Sequence, residues 1–342
     1  MKKAFLILLA VFLILYGKIG IGLFAEQPGL ESASVGLLSE MAEEVTAIPL
    51  LAKGMDKIED VRNVQMDGDN LFLISGNSLY RFDKSGKPVC RITDPSFITV
   101  AGYLIDSLKQ QLVVMGNEND VFYYSFSGEL LSTKKLEDDS GNRRIHCAAI
   151  FGSRIWTTEE CISVDAATQT QYVEKQVVEY DTSFNKLTSH KLVSSNLQNN
   201  HNFNFSCDFE LGISEDTGTI YAYSPPIYPE RLLLDTLSIR RRQLMYGEMQ
   251  YSGNVAVYPL RLGSRYWISS YRDPADPSAY YTFCFDRDTS KSWHIKGGFK
   301  DNICHTGNVP VLNPMDVHSN SYYFCKKDKS ENPVVYIVRL KA

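Results

Sequence analysis

The tightest constraint on this chain is a motif that it keeps rewriting. Residues 77–88 read NSLYRFDKSGKP, and fainter versions follow as DVFYYSFSGELL, QVVEYDTSFNKL and YYTFCFDRDTSKSW. Each is an aromatic, alternating run that meets a polar turn and restarts. Alternation with a period of two marks a strand with one buried face, and a cluster of Asp, Ser, Gly and Asn marks a turn. A chain that repeats strand, turn and strand builds small antiparallel sheets in series.

Used as a ruler, the motif divides the chain. VRNVQMDGDNLFLISGNSLYRFDKSGKPVCRIT splits into four strands at the turns DGDN, SGNS and DKSGK, and AGYLIDSLKQQLVVMGNENDVFYYSFSGELLSTKKL splits in the same way at SLKQ, GNEND and SFSGE. Units of about 40 residues with four strands each have the period of propeller blades. Longer and less regular units start near Arg143, Asn204 and Val255. The last unit, VPVLNPMDVHSNSYYFCKKDKSENPVVYIVRLKA, shows only three strands. A ring left open there would expose unpaired backbone groups along a sheet edge. The lone strand EEVTAIPLL, residues 43–51, is expected to fill that place. The fold expected is therefore all-β, a six-bladed β-propeller over residues 43–342 whose ring is closed by an N-terminal strand completing the last blade.

Ahead of this body, residues 1–25 begin with two lysines, continue as an unbroken apolar run from Ala4 to Tyr16 and end at the small residue Ala25. This is the pattern of an export signal. Uncleaved, the roughly 20 residues from Ala4 to Phe24 are long enough to anchor the chain in a membrane, with Lys2 and Lys3 on the cytoplasmic side. Residues 26–42 carry little periodicity and read as a linker. The expected location is periplasmic or at the cell surface, with membrane contact only through the N-terminal segment.

On VTAIPL ahead of the first blade, NLFLISGNSLYRFDKSGKPVCRI, GGFKDNICHTGNVPVLNPM between the fifth and sixth blades, and the closing ENPVVYIVRLK, the chain resembles the six-bladed propeller proteins exported by Bacteroides-type bacteria, themselves similar to NHL-repeat propellers. The resemblance covers about residues 43–342. It implies the fold and an exported protein, and it implies no particular activity. Members of that family often carry a lipoprotein cysteine near the N-terminus, and this chain has none there. The junction passage in relatives is richer in Asp, whereas here Asn302 and His305 stand in it.

Net charge is −5 and the pI is near 5.8, so no global positive field draws the chain to nucleic acid. The one dense basic run, SIRRRQLMYG at 238–247, reads as a charged outer strand that resists pairing with other sheets. Seven cysteines (Cys90, Cys147, Cys161, Cys207, Cys284, Cys304 and Cys325) lie scattered without metal-binding spacing. They read mainly as small apolar fillers, with at most one or two bridges and no metal held by thiolates.

Candidate ligand contacts come from the unusual loops. SPPIYPERL and SYRDPADPSAYY are long, aromatic and stiffened by proline, and proline lowers the entropy lost when a loop is held for binding. Tyr228, Arg231, Tyr271, Arg272 and Asp273 would offer flat faces and paired donors to a sugar or peptide. NLQNNHNFNFS adds His201 and Asn204 in an amide-rich stretch suited to hydroxyl groups. The same loops also read as plain insertions and turns.

For catalysis the residues are less specific. There is no GxSxG, no HExxH and no phosphate loop. His146 beside Cys147 invites a thiolate pair, but strand neighbours point to opposite faces. A channel-bound divalent cation such as calcium would need six or more oxygen ligands, for which Glu159, Glu160, Asn204, Asp208, Asp273 and Asp301 are the candidates. No catalytic residue and no resident cofactor is assigned. The function expected is a monomeric recognition or scaffold module that binds a carbohydrate, peptide or protein partner at the channel mouth, the alternative being a metal-assisted hydrolase or lyase of lactonase type at the same mouth.

Overall fold

The computed structural model describes residues 36–51, 58–93, 100–116, 120–136, 143–196, 210–214, 219–223, 233–235, 241–242, 261–262, 265–272, 280–286, 288–289, 291–317, 319–327 and 332–341. The segment expected to be a signal or anchor lies outside these residues. Among the described residues no helix is long and apolar enough to cross a membrane.

The protein is mostly β, built from repeated four-stranded antiparallel sheets. After a short helix α1 (Leu38–Met41) and strand β1 (Ala42–Pro49), the first sheet holds β2 (Val61–Asp67), β3 (Asn70–Ser75), β4 (Ser78–Asp83) and β5 (Pro88–Ile92) in chain order. The next holds β6 (Val100–Asp106), β7 (Gln111–Gly116), β8 (Asp120–Ser125) and β9 (Leu130–Lys135). It is followed by β10 (Arg143–Phe151), β11 (Arg154–Val164), β12 (Gln171–Asp181) and β13 (Lys186–Asn196). Then come β14 (Glu210–Ser214), β15 (Thr219–Tyr223), β16 (Leu233–Asp235) and β17 (Arg241–Arg242). The following sheet holds β18 (Arg261–Leu262), β19 (Tyr266–Arg272), β20 (Tyr280–Asp286) and β21 (Lys291–Lys296). A small hairpin, β22 (Phe299–Asp301) and β23 (Gly307–Val309), leads to β24 (Asn313–Pro314), β25 (Ser321–Lys327) and β26 (Pro333–Leu340).

The last three strands are completed from the other end of the chain. β1 pairs antiparallel with β26, from Ala42↔Leu340 to Pro49↔Val334, giving the sheet order β1-β26-β25-β24. The expected closure strand is thus in place, starting at Ala42. First strands of successive sheets lie side by side, β6 next to β10, β10 next to β14, β14 next to β18 and β18 next to β24. This is a propeller-like closure.

Apolar side chains fill the gaps between successive sheets. Phe72, Ile74 and Leu79 meet Tyr103, Leu112 and Phe122. Leu104, Val113 and Tyr123 meet Ile155, Val178 and Tyr180. At the joint of last sheet and first, Ile48, Val335 and Tyr323 pack on Leu71, Leu73 and Phe82. Both faces of β3 are buried, which is why NLFLIS reads as a nearly continuous apolar run.

The repeated motif has a local cause. Asp83, at the end of β4, accepts the backbone N–H groups of Ser85 and Lys87 at 2.8 and 3.0 Å. Asp181 accepts those of Ser183 and Asn185 at 2.9 and 2.8 Å, and Asp286 accepts those of Asp288 and Thr289 at 3.0 and 3.3 Å. Ser125 does the same for Glu129 at 3.1 Å. In these four sheets a short oxygen-bearing side chain closes the hairpin between third and fourth strands, the Asx-turn chemistry of these residue types.

Gly36–Met41, from the stretch read as a linker, are packed against the body. Lys300 donates its backbone N–H to Gly36 at 2.8 Å, and Ser39 and Asn302 exchange two hydrogen bonds at 3.1 and 2.8 Å. Leu38 is fully buried with Ile295, Phe299 and Val309. The Lys341 ammonium donates to the carbonyls of Ser39 and Glu40 at 3.0 and 2.9 Å. The junction passage between the fifth and sixth units is therefore the seat of the N-terminal latch.

Candidate functional site: the axial cavity

Inner strands β2, β6 and β10 and the segment Asn313–Val317 border one cavity of about 310 Å³. That lies near the lower end of the range for small-ligand sites, which runs from about 300 to 1,000 Å³. Arg62, Asn63, Gln65, His146, Cys147, Asn313 and Asp316 supply polar groups to its wall, and Leu104, Met115, Ala148 and Ile150 supply apolar ones.

The three inner strands share an irregularity. The ladder between β2 and β3 shifts between Arg62 and Gln65, that between β6 and β7 between Val100 and Gly102, and that between β10 and β11 between Ile145 and Cys147. Asn63 sits in the first shift with φ of 49°, a left-handed conformation that Asn tolerates better than most residues. A bulge adds a residue to one strand, bends it and re-aims the side chains that follow. Here each bulge falls on a wall of the same cavity. His146 is the extra residue of the third, so strict alternation fails at that point, and both His146 and Cys147 border the cavity.

Several wall contacts are fixed. The Tyr103 hydroxyl donates to the Asn63 carbonyl at 2.6 Å across the two sheets, and Gln65 Nε2 donates to the Tyr103 carbonyl at 3.3 Å. Burial holds the Tyr103 phenol well above its ordinary pKa, so it stays a donor. Asp316 accepts the backbone N–H and the hydroxyl of Ser319, which engages both of its oxygens.

Behind the His146 wall lies a buried charged layer. Glu159 is fully buried on β11 and accepts hydrogen bonds from the Tyr180 hydroxyl at 2.6 Å and from Thr157 Oγ1 at 2.7 Å, with Arg143 Nη1 3.8 Å away. Burial, then the Glu159 charge, pushes the Tyr180 phenol far up. Glu160, 4% exposed, lies 3.7 Å from His146 Nε2 and 3.8 Å from Lys175 Nζ. As neighbours on one strand, Glu159 and Glu160 serve opposite faces of the sheet and do not converge on one ion. Asp301 is also engaged in its own turn. Burial pushes its pKa up, but the Thr306 hydroxyl and the N–H groups of Cys304, Thr306 and Ile303 outweigh this and lower it. Among the described residues no group of three or more His, Cys, Asp or Glu side chains is placed to hold a metal ion.

The loop candidates fare differently. His201, Asn204, Tyr228, Arg231 and Asp273 lie outside the described residues, as do Asp208 and Cys207. Tyr271 and Arg272 are the last residues of β19, opposite Tyr281 and Tyr280. Cys90, Cys147, Cys161, Cys284, Cys304 and Cys325 carry free thiols. His190 and His294 fall on the fourth strands β13 and β21, as expected of outer positions. Sequence reasoning missed Arg62, Asn63, Gln65, Asn313 and Asp316. Only Asn63 carried a signal, an Asn inside a run of strand formers.

No protein-family model matches the chain, and no curated protein matches it. Among solved structures, a luciferin-regenerating enzyme superposes with a TM-score of 0.50 at 12% identity, covering 87% of this chain and 97% of its own. The β-propeller domain of Cps50 (Swd1) from Myceliophteria thermophila gives 0.45 at 9% identity, covering 82% and 95%. A protein of unknown function from Bacteroides caccae gives 0.42 at 13% identity, covering 71% and 83%. The first likeness speaks for the fold alone.

Proposed function

We propose that the chain is an exported, monomeric six-bladed propeller that works as a recognition module and binds a carbohydrate in the axial cavity. The observation that carries this reading is the row of bulges on β2, β6 and β10 at the cavity wall. A bulge breaks ladder hydrogen bonds, and three at neighbouring places around one cavity suit a wall shaped for a ligand. Amide groups from Asn63 and Asn313, with Arg62 and His146, suit an acceptor-rich and hydroxyl-rich molecule. The six-bladed count rests on the repeat of four-stranded sheets and on the β1–β26 joint, and export rests on the character of residues 1–25.

The test is a melting-temperature screen of the full chain against neutral and acidic mono- and disaccharides and short peptides. Ala148→Phe, which puts a ring into the cavity, is the control. At least one sugar is expected to raise the melting temperature of the wild type and not that of the filled variant. Peptides alone raising it would turn the reading toward a peptide or protein partner. No stabilisation by any sugar, or equal stabilisation with the cavity filled, would contradict the carbohydrate reading.

A further inference from the structure

We infer that the ligand of the axial cavity carries a carboxylate, as a uronic acid does, and that Arg62 receives it. This rests on the reading of the cavity as a recognition site and names the chemistry that the site selects.

Arg62 stands on β2 at the edge of the Asn63 bulge and borders the cavity. Its Nη2 donates to the Gly76 carbonyl at 2.8 Å, which ties the guanidinium to the turn between β3 and β4. Its Nε is buried and, among the described residues, has no hydrogen-bond partner. A guanidinium is always charged and has only donors, so a buried N–H without an acceptor is a costly arrangement that calls for an explanation. An acceptor brought by a ligand supplies one.

The cavity's own carboxylate does not fill that role. Asp316 is the acidic residue of the wall, and both of its oxygens are engaged by Ser319. Glu159 and Glu160 do not border the cavity, and they serve partners within their own sheet. Gln65 donates its amide to Tyr103. The wall therefore combines one formal cation with a vacant donor and one carboxylate already engaged.

Asp316 keeps its charge while it accepts from Ser319, so the imbalance of the wall is one of hydrogen bonds, a buried guanidinium N–H without an acceptor. A carboxylate matches the planar donor edge of a guanidinium in both charge and shape, and a neutral hydroxyl matches it only as a single weak acceptor. The size of the cavity, about 310 Å³, restricts the ligand to a compact molecule.

The experiment is calorimetric titration of the full chain with D-glucuronate and with D-glucose at matched ionic strength, repeated on Arg62→Gln and Arg62→Lys. Glucuronate is expected to bind at least about tenfold more tightly than glucose, and Arg62→Gln is expected to close that gap by weakening glucuronate more than it weakens glucose. Arg62→Lys keeps the charge without Nε and should recover part of the gap, which separates a charge effect from a folding defect. Equal binding of the two sugars, or a gap that survives in Arg62→Gln, would overturn the inference and leave the recognition reading standing. Binding of neither sugar would also overturn it, and the Ala148→Phe screen then decides separately whether the recognition reading stands.

Discussion

Pro49, the last residue of the closing strand, and Gly86, in the hairpin turn of the adjoining sheet, touch without room for a side chain. A Cβ placed on Gly86 would lie 1.8 Å from the Pro49 carbonyl oxygen, and the Gly86 backbone has φ of +80°. Leu51 donates its N–H to the Gly86 carbonyl at 2.9 Å. The turn that ends one echo of the sequence motif is thus also a seat for the ring joint.

Gly86→Ala meets both a backbone clash and a left-handed conformation that Ala resists. It is expected to destabilise the fold by about 3 kcal/mol or more. Chemical denaturation of the variant beside Gly76→Ala, whose added Cβ meets no atom within 4 Å, separates the clash from the conformational cost.

The N-terminal latch should be measurable by itself. Leu38 is fully buried among the residues that join the last two sheets. Leu38→Ala removes buried methyl groups and is expected to cost about 2–5 kcal/mol, read as a lower denaturant midpoint with little change in slope.

Acid should weaken the hairpin turns. The Ser85 hydroxyl and the Lys87 N–H hold the Asp83 carboxyl below its ordinary pKa, and the Asn185 N–H and side chain do the same for Asp181. At Asp286 burial pushes upward, but the hydrogen bonds from Arg265 and Thr289 prevail and the pKa is lowered. With folded values below the unfolded value of about 3.9, these groups stabilise the fold fully above that pH. Their contribution fades as pH falls through the folded values. The melting temperature is expected to drop on going from about pH 5 to pH 3. Asp286→Asn should flatten that drop and lower the plateau at neutral pH.

The buried charge behind the cavity makes a stability prediction of its own. Tyr180→Phe deletes the 2.6 Å hydrogen bond to the fully buried Glu159 carboxylate. The expected loss is about 1.5–3 kcal/mol, the range for hydrogen bonds to charged groups. A Glu159→Gln, Tyr180→Phe double variant should lose less than the sum of the two singles, since Glu159→Gln weakens and Tyr180→Phe removes the same contact.

Much of the architecture was legible because hairpin turns depend on a few local residue types. Asp83, Asp181 and Asp286 each cap their own turn, so the echo survived in the sequence where the strands between had drifted. The closing strand was legible because three strands without a fourth leave an edge. The bulges were not legible, since a shift at Ala101 or His146 depends on the neighbouring strand rather than on the residue itself. Glu159 and Glu160 needed only the two-residue period of a strand to be separated. Asp301 looked like a ligand because its partners, backbone N–H groups and Thr306, cannot be read from residue types.

The cavity depends on ring closure, because β1 completes the sheet that carries Asn313–Val317. The most direct test is a cysteine cross-link between Glu44 and Arg339, which face each other in the β1–β26 register and are both exposed. Oxidised E44C/R339C, digested and mapped by mass spectrometry, should yield a single intrachain disulfide between peptides from the two ends of the chain. Both thiols remaining open to alkylation in the folded, oxidised protein would contradict closure by this strand and, with it, the cavity built on it.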